Sequence, residues 1–469
     1  MGARTNRQPT LPGGLVKAAQ ATVETLGLPR QHAACWVHAG AITQHAAQIG
    51  LIGEGVGLRR GLDQLAKLHP GLAMLADLPT LTGASETAIE DLWNRHTVIE
   101  PNGHTEWYSY PLGDLYQTLS VEAVKGRALC QTPWWIGQLL LQLSYDRAQE
   151  EWMHPQVIDP ACGTGHLLVE AFQHARSSQH RFYPGYSPVD PYRRYTPTLE
   201  QALDAVHGVD LDPHAATLTR YRLLALAWAQ LRHRGGPSAL AGLPIHVACA
   251  DALLAENEPL LERGRYNVVL ANPPYITPKD KAVNEAIRQR YPQVCYLRYS
   301  LALPFHVVMN ELLVPGGWCA QLTTNSFMKR EFGRKYVEQY LAGLDLQWVI
   351  DTSGVYIPGH GTPTVILVNR MRPPTSTTVR AVCGIRGEPA IPDDPSQGLV
   401  WTAIRDAVES RESLERLGRG AEAAARLAHL APSHPAAEPT ALAQRGPRRP
   451  HPAPHPVQAT LFDLLEDAA

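Results

Sequence analysis

Through the middle of the chain, short apolar and β-branched runs alternate with longer segments of helical spacing. Val157-Ile158, Val206 to Val209, Ile245 to Ala248 and Val268 to Ala271 are strand-like, and each runs into turn residues. Such alternation over residues 110–372 predicts a mostly parallel sheet wrapped by helices. Upstream, Leu62-Leu65-Leu68 and Ala88-Ile89-Leu92-Trp93 repeat at helical spacing, so residues 1–109 are expected to form an N-terminal helical region. Downstream, residues 373–431 open with a strand-like piece at Val379 to Val382 and continue as a charged helical stretch from Trp401. Residues 432–469 hold eight prolines up to Pro456, which predicts a disordered tail, with one helical turn at Leu461 to Leu465.

Composition narrows the class only a little. At 469 residues the chain can hold two or three domains. A net charge of −2 gives no global basic field, so any nucleic-acid contact has to come from a local patch. The seven cysteines include no CxxC pair, which predicts reduced thiols and no metal site. No stretch approaches the roughly 20 apolar residues of a membrane span, and a cytoplasmic protein without membrane contact is expected.

Four strand ends carry candidate chemistry. Val157-Ile158 leads into Asp159-Pro160-Ala161-Cys162-Gly163-Thr164-Gly165 and then a helical run. Glycines at such a turn let the backbone approach a ligand. The spacing is neither GxGxxG nor a phosphate loop, and an acid at its head suits a cationic ligand group. A plain strand-to-helix turn accounts for it equally well. Asp210, 51 residues on, is placed to accept from ribose hydroxyls, whereas Asp212 before Pro213 suits a helix cap. Asp251 and Ala252, 41 residues beyond Asp210, either meet an adenine amino group or form a surface turn. Asn272-Pro273-Pro274-Tyr275 is more specific. Two prolines hold their carbonyls extended without donors, between an amide and an aromatic. That is a pocket for a planar amine.

With these residues in view, Leu112 to Arg372 resembles the DNA amino-methyltransferases of the gamma order, whose cofactor motifs precede the catalytic one. The resemblance makes Thr132 and Pro133 cofactor contacts ahead of the loop. It makes Asp159, Pro160, Ala161, Gly163 and Gly165 the cofactor loop, Asp210 the ribose acid, and Asp251 with Ala252 the adenine contact. Asn272, Pro273, Pro274 and Tyr275 become the catalytic tetrad. Asn325 to Gly333 and Asp351 to Thr364 resemble a subgroup, the PglX methyltransferases of phage growth limitation and type 2 bacteriophage exclusion.

That resemblance implies a Rossmann-like class I methyltransferase fold with a seven-stranded, mostly parallel sheet. It also implies S-adenosyl-L-methionine as cofactor and adenine N6 methylation in double-stranded DNA with the target base flipped out. The subgroup's proteins are usually longer, so a separate specificity chain or other phage-defence subunits are expected as partners. In the expected mechanism the Asn272 oxygen and Pro273 carbonyl hold the amine hydrogens, and Tyr275 stacks on the base. Tyr356 is either a second stacking wall or a core tyrosine. Lys329, Arg330, Arg334 and Lys335 serve equally as a phosphate contact or a solvated helix face. His360 needs no catalytic role. RNA or protein-glutamine methylation, and an inactive cofactor-binding scaffold, stand as alternatives.

Overall fold

The structure, a computed structural model, describes residues 11–99, 109–177, 197–233, 235–359, 361–384 and 387–410. The proline-rich tail with its Leu461 turn, and His360, lie outside the described residues. Four helices, α1 (Gly13–Thr25), α2 (Arg30–Gln48), α3 (Leu58–Leu68) and α4 (Gly83–Arg95), are followed by α5 (Tyr110–Leu119) and α6 (Trp134–Ala148). Their apolar stripes are turned inward; in α3, for example, Leu58, Leu62 and Leu65 are buried.

The strands are β1 (Val157–Asp159), β2 (Val206–Asp210), β3 (His246–Cys249), β4 (Tyr266–Ala271), β5 (Leu313–Thr324), β6 (Asp345–Asp351), β7 (Thr364–Arg370) and β8 (Arg380–Val382). They form one sheet in the order β3-β2-β1-β4-β5-β7-β6-β8. The pairings from β3 to β5 are parallel, and β7 runs antiparallel between β5 and β6. Eight strands, not the expected seven, make up this sheet. The additional one is the strand-like piece near Val379, which pairs parallel to the edge of β6 and lays the Arg380 guanidinium 5.5 Å from the Trp348 ring centre. Three residues are too short to register as a sheet strand in the sequence, but the cation over the indole pins them to the edge.

Successive side chains of a strand point to opposite faces, and the two cores divide accordingly. Val157, Val268, Leu270, Ile366 and Val368 pack with the N-terminal helices, α6, α7 (His166–Ser177) and α9 (Pro213–Leu231). Ile158, Val269, Ala271, Val365 and Leu367 pack on the other face with α10 (Lys281–Arg290) and α11 (Ala302–Glu311). Two short helices, α8 (Leu199–Asp204) and α12 (Ser326–Lys329), complete the set used below. No helix among the described residues is long and apolar enough to cross a membrane.

Strand order reverses at β1, whose neighbours are β2 and β4. Open α/β sheets bind ligands at the carboxyl ends of the strands beside such a reversal.

Candidate active site

β1 ends on Asp159, and the chain turns through Gly163 (φ 53°) and Gly165 (φ 85°) into α7. Both glycines lie in the left-handed region that a side chain disfavours. A Cβ on Gly165 would also approach Thr219 Cγ2 to 2.7 Å. The turn is gripped from behind by α9. Thr219 Oγ1 donates to the Gly163 carbonyl at 2.9 Å, and the buried Arg222 donates to the Thr164 carbonyl at 2.7 Å. With its carbonyls held on that side, the loop shows N–H groups to the strand ends. One of them, Gly163 N–H, donates to Asp210 Oδ2 at 2.7 Å.

Asp159 and Asp210 are both sunk in the protein. Asp159 is 2% exposed and accepts the Ala161 N–H at 2.9 Å. Burial pushes its carboxyl up to about 8, against the pull of that N–H and helped by the nearby charge of Asp210. Burial likewise raises Asp210 to about 6, opposed by the N–H groups of Asp212 and Gly163. Asp212 caps α9 through His214 N and Ala215 N. Its second oxygen meets Arg127 at 2.7 Å and the Tyr116 hydroxyl at 2.8 Å. Asp251 Oδ1 accepts from Leu253 N at 2.9 Å and Leu254 N at 3.2 Å, which fixes its turn.

Asn272 follows β4. Its Nδ2 donates to Thr132 Oγ1 at 3.1 Å and to the Cys130 carbonyl at 3.4 Å. A carbonyl can only accept, so this contact fixes which end of the amide is nitrogen. The oxygen therefore points the other way, where the Tyr275 hydroxyl donates to it at 2.5 Å. Burial holds the Tyr275 phenol well above its ordinary value, so it remains a donor.

One cavity of about 330 Å³ joins these parts, a size within the roughly 300–1,000 Å³ of small-molecule sites. Thr132, Asp159, Pro160, Ala161, Gly163, Asp210, Asp251, Ala252, Asn272 and Pro274 all line it. Pro133, Gly165, Pro273, Tyr275 and Tyr356 are not in the lining. Pro133 caps α6, and Gly165 backs onto Thr219. Strand-end reasoning missed Arg127, Leu129 and Phe305, which also line the cavity. They arrive from a loop and a helix whose sequence shows no periodic or motif signal.

Similarity to known proteins points the same way. Residues 204–356 match the family model of the Eco57I restriction-modification methylase. Over this segment the chain is similar to that methylase family. The segment takes in Asp210, Asp251 and the stretch from Asn272 to Tyr275. The adenine-specific methyltransferase PglX of Streptomyces coelicolor is 37% identical over 362 residues, 68% of this chain. The match spans 29% of that longer protein.

Among solved structures, the type IIL restriction-modification enzyme MmeI in complex with DNA has a TM-score of 0.50 at 14% identity, over 83% of this chain and 62% of that one. The type I restriction-modification methyltransferase subunit from Streptococcus thermophilus has a TM-score of 0.47 at 14% identity, over 85% and 93%. The fold is shared with MmeI.

Proposed function

We propose that this chain transfers a methyl group from S-adenosyl-L-methionine to the N6 amine of adenine in DNA, in a restriction-modification or phage-exclusion setting. The observation that carries the reading is one cavity lined by Asp159, Asp210, Asp251 and Asn272 together. Three acids suited to an ammonium, ribose hydroxyls and an adenine amino group share it with an amide acceptor. The left-handed backbone at Gly163 gives a close approach that a Cβ would strain, and Asp159 is a buried acid in want of a cation. The residues fit the donor.

Bound there, the donor supplies a sulfonium methyl open to displacement by an amine. Asp159 would hold its ammonium. Asp210, with one lone pair of each oxygen used on Gly163 and Asp212, keeps an acceptor for each ribose hydroxyl. Asp251 has an oxygen left for the adenine amine of the donor.

Asn272 and the Pro273 carbonyl would accept the two amine hydrogens of a target base flipped from the duplex. Those bonds localise the nitrogen lone pair and stabilise the positive charge that grows on it. As the carbon–nitrogen bond forms, the amine proton becomes acidic and leaves to water, so no strong base is needed. Thr132 and Cys130 keep the amide aimed. Tyr275 has to release the amide oxygen first, and its freed ring can then stack on the base.

The test is transfer of labelled methyl to duplex DNA, RNA and protein offered side by side. Asn272→Ala should lose about 10²–10³-fold in turnover while still binding donor by calorimetry; Asp210→Ala should weaken donor binding instead. Equal transfer by wild type and Asn272→Ala would remove the assigned site.

A further inference from the structure

The chain's net charge is −2, yet between Lys279 and Arg298 five cations face two carboxylates, Asp280 and Glu285. What matters physically is how those charges are compensated. Several arginines among the described residues sit in ion pairs, as Arg334 does with Glu338 at 3.2 Å and Glu331 at 3.8 Å. The residues around α10 are held differently. Arg288 donates to the carbonyls of Cys295 and Leu297, at 3.1 and 2.8 Å. Arg290 donates to the carbonyls of Leu254 and Ala255, at 3.1 and 3.3 Å. Lys335 arrives from another element and donates to the Pro292 carbonyl at 2.7 Å. Carbonyls position a cation without neutralising it.

Lys281 and Arg298 are exposed, and no ion pair among the described residues involves them or the three just named. The two carboxylates are occupied elsewhere. Asp280 caps α10 through Ala282 N and Val283 N, and Glu285 accepts from Gln289.

This charge lies beside the cavity. Lys279, Val283 and Ile287 line its wall, and the Leu254 carbonyl that holds Arg290 follows directly on Asp251 to Leu253 of the same wall. The loop after α10 lifts two apolar side chains into solvent, Tyr296 at 42% and Leu297 at 51% exposure. Leu297 is held there with φ 50°, a backbone region rare for a branched apolar residue. Cations held by carbonyls rather than by ion pairs, interleaved with exposed apolar groups, suit a polyanion that also presents flat faces.

We infer that α10 and the loop through Arg298, with Lys335, form the surface that grips the DNA phosphates flanking the target base. This rests on the function proposed above and adds the place where the strand lies. The basic cluster expected from the sequence at Lys329 to Lys335 contributes only in part, since Arg334 is neutralised on its own helix face.

The experiment is binding of a fluorescent DNA duplex to the full chain at several salt concentrations, followed by anisotropy. Lys281→Ala/Arg298→Ala removes two cations whose side chains hold no hydrogen bond among the described residues. The expected result is at least ten-fold weaker binding at low salt. The slope of log affinity against log salt should fall by about 0.9 for each phosphate that is no longer neutralised. Thermal unfolding and donor affinity should match wild type.

An unchanged slope and affinity in that variant overturn the assignment of this surface, while methyl transfer to DNA by wild type would leave the proposed function standing. Failure of wild type to bind any duplex overturns both. A charge reversal, Lys281→Glu/Arg298→Glu, should weaken duplex binding further than the alanine pair; if it binds as tightly as wild type, the surface is refuted independently.

Discussion

Asp159 carries an unusual burden for a buried acid at a strand end. Its carboxyl is raised to about 8 by burial, and a raised acid binds its proton more tightly in the folded state than in the unfolded chain. The sign follows: its contribution to stability is full below about pH 4 and is lost as pH rises through about 8. Asp210 acts in the same direction, up to about 6. A cationic ligand reverses this by favouring the ionised form, so donor affinity should climb between pH 6 and 8, with proton release on binding. Asp159→Asn should raise the unfolding midpoint at pH 8 and flatten its pH dependence, yet weaken donor binding by ten-fold or more. Titration calorimetry in buffers of different ionisation enthalpy checks the proton release. An affinity independent of pH would contradict the role given to Asp159.

At the scale of elements, the loop after β1 depends on α9 as much as on its own glycines. Thr219 and Arg222 hold two consecutive loop carbonyls, and Gly165 leaves room for Thr219 to do so. Gly165→Ala combines a left-handed backbone with a 2.7 Å approach to Thr219 Cγ2. It should destabilise the fold by about 1–3 kcal/mol and weaken donor binding, measurable by denaturant unfolding and calorimetry; wild-type values for both would show that the loop tolerates a shift.

The strand ends were legible because each acid or amide closes an apolar run, and the sheet brings consecutive runs to one edge. Asp159, Asp210, Asp251 and Asn272 meet in one cavity for that reason. Arg127 and Phe305 were not, since their place depends on how a loop and α11 pack. β8 was visible as a local pattern but not as a sheet member, because its register is set by Trp348 and Gln347 across the gap. The α10 surface escaped notice because its character lies in what its cations touch, and sequence reports only that they are there.

Across the whole molecule, the N-terminal helices are tied to the machinery. His38 Nε2 contacts the Leu112 carbonyl at 2.8 Å, so that nitrogen is the donor, and its Nδ1 accepts from His214 Nε2 at 2.9 Å. His214 stands in the first turn of α9, two residues after Asp212. His45 meets Tyr221 at 2.6 Å, and Trp228 donates to the Ile49 carbonyl at 2.7 Å, further along the same helix. Gln31 of α2 donates to the Tyr116 hydroxyl, which in turn donates to Asp212. His38→Leu leaves the buried His214 imidazole N–H without its partner, and should lower stability by about 1–3 kcal/mol. Burial depresses His38 to about 3 and His214 to about 4. A depressed base contributes stability above about pH 6.5 that is lost as pH falls toward those values. Acid should therefore loosen the seam between α2 and α9, and unfolding midpoints measured from pH 7 to 4 should fall less steeply in His38→Leu than in wild type.

The contact between the Tyr275 hydroxyl and the Asn272 oxygen has a consequence for selectivity on the proposed reaction. The acceptor position is already plugged, and whatever enters must evict a phenol from a sheltered hydrogen bond. A free nucleobase or a stray small amine brings too little binding free energy to do so. A polymer anchored along the protein on either side of the intruding base has that energy in reserve, so the plug would spare the donor from futile loss to small bystanders.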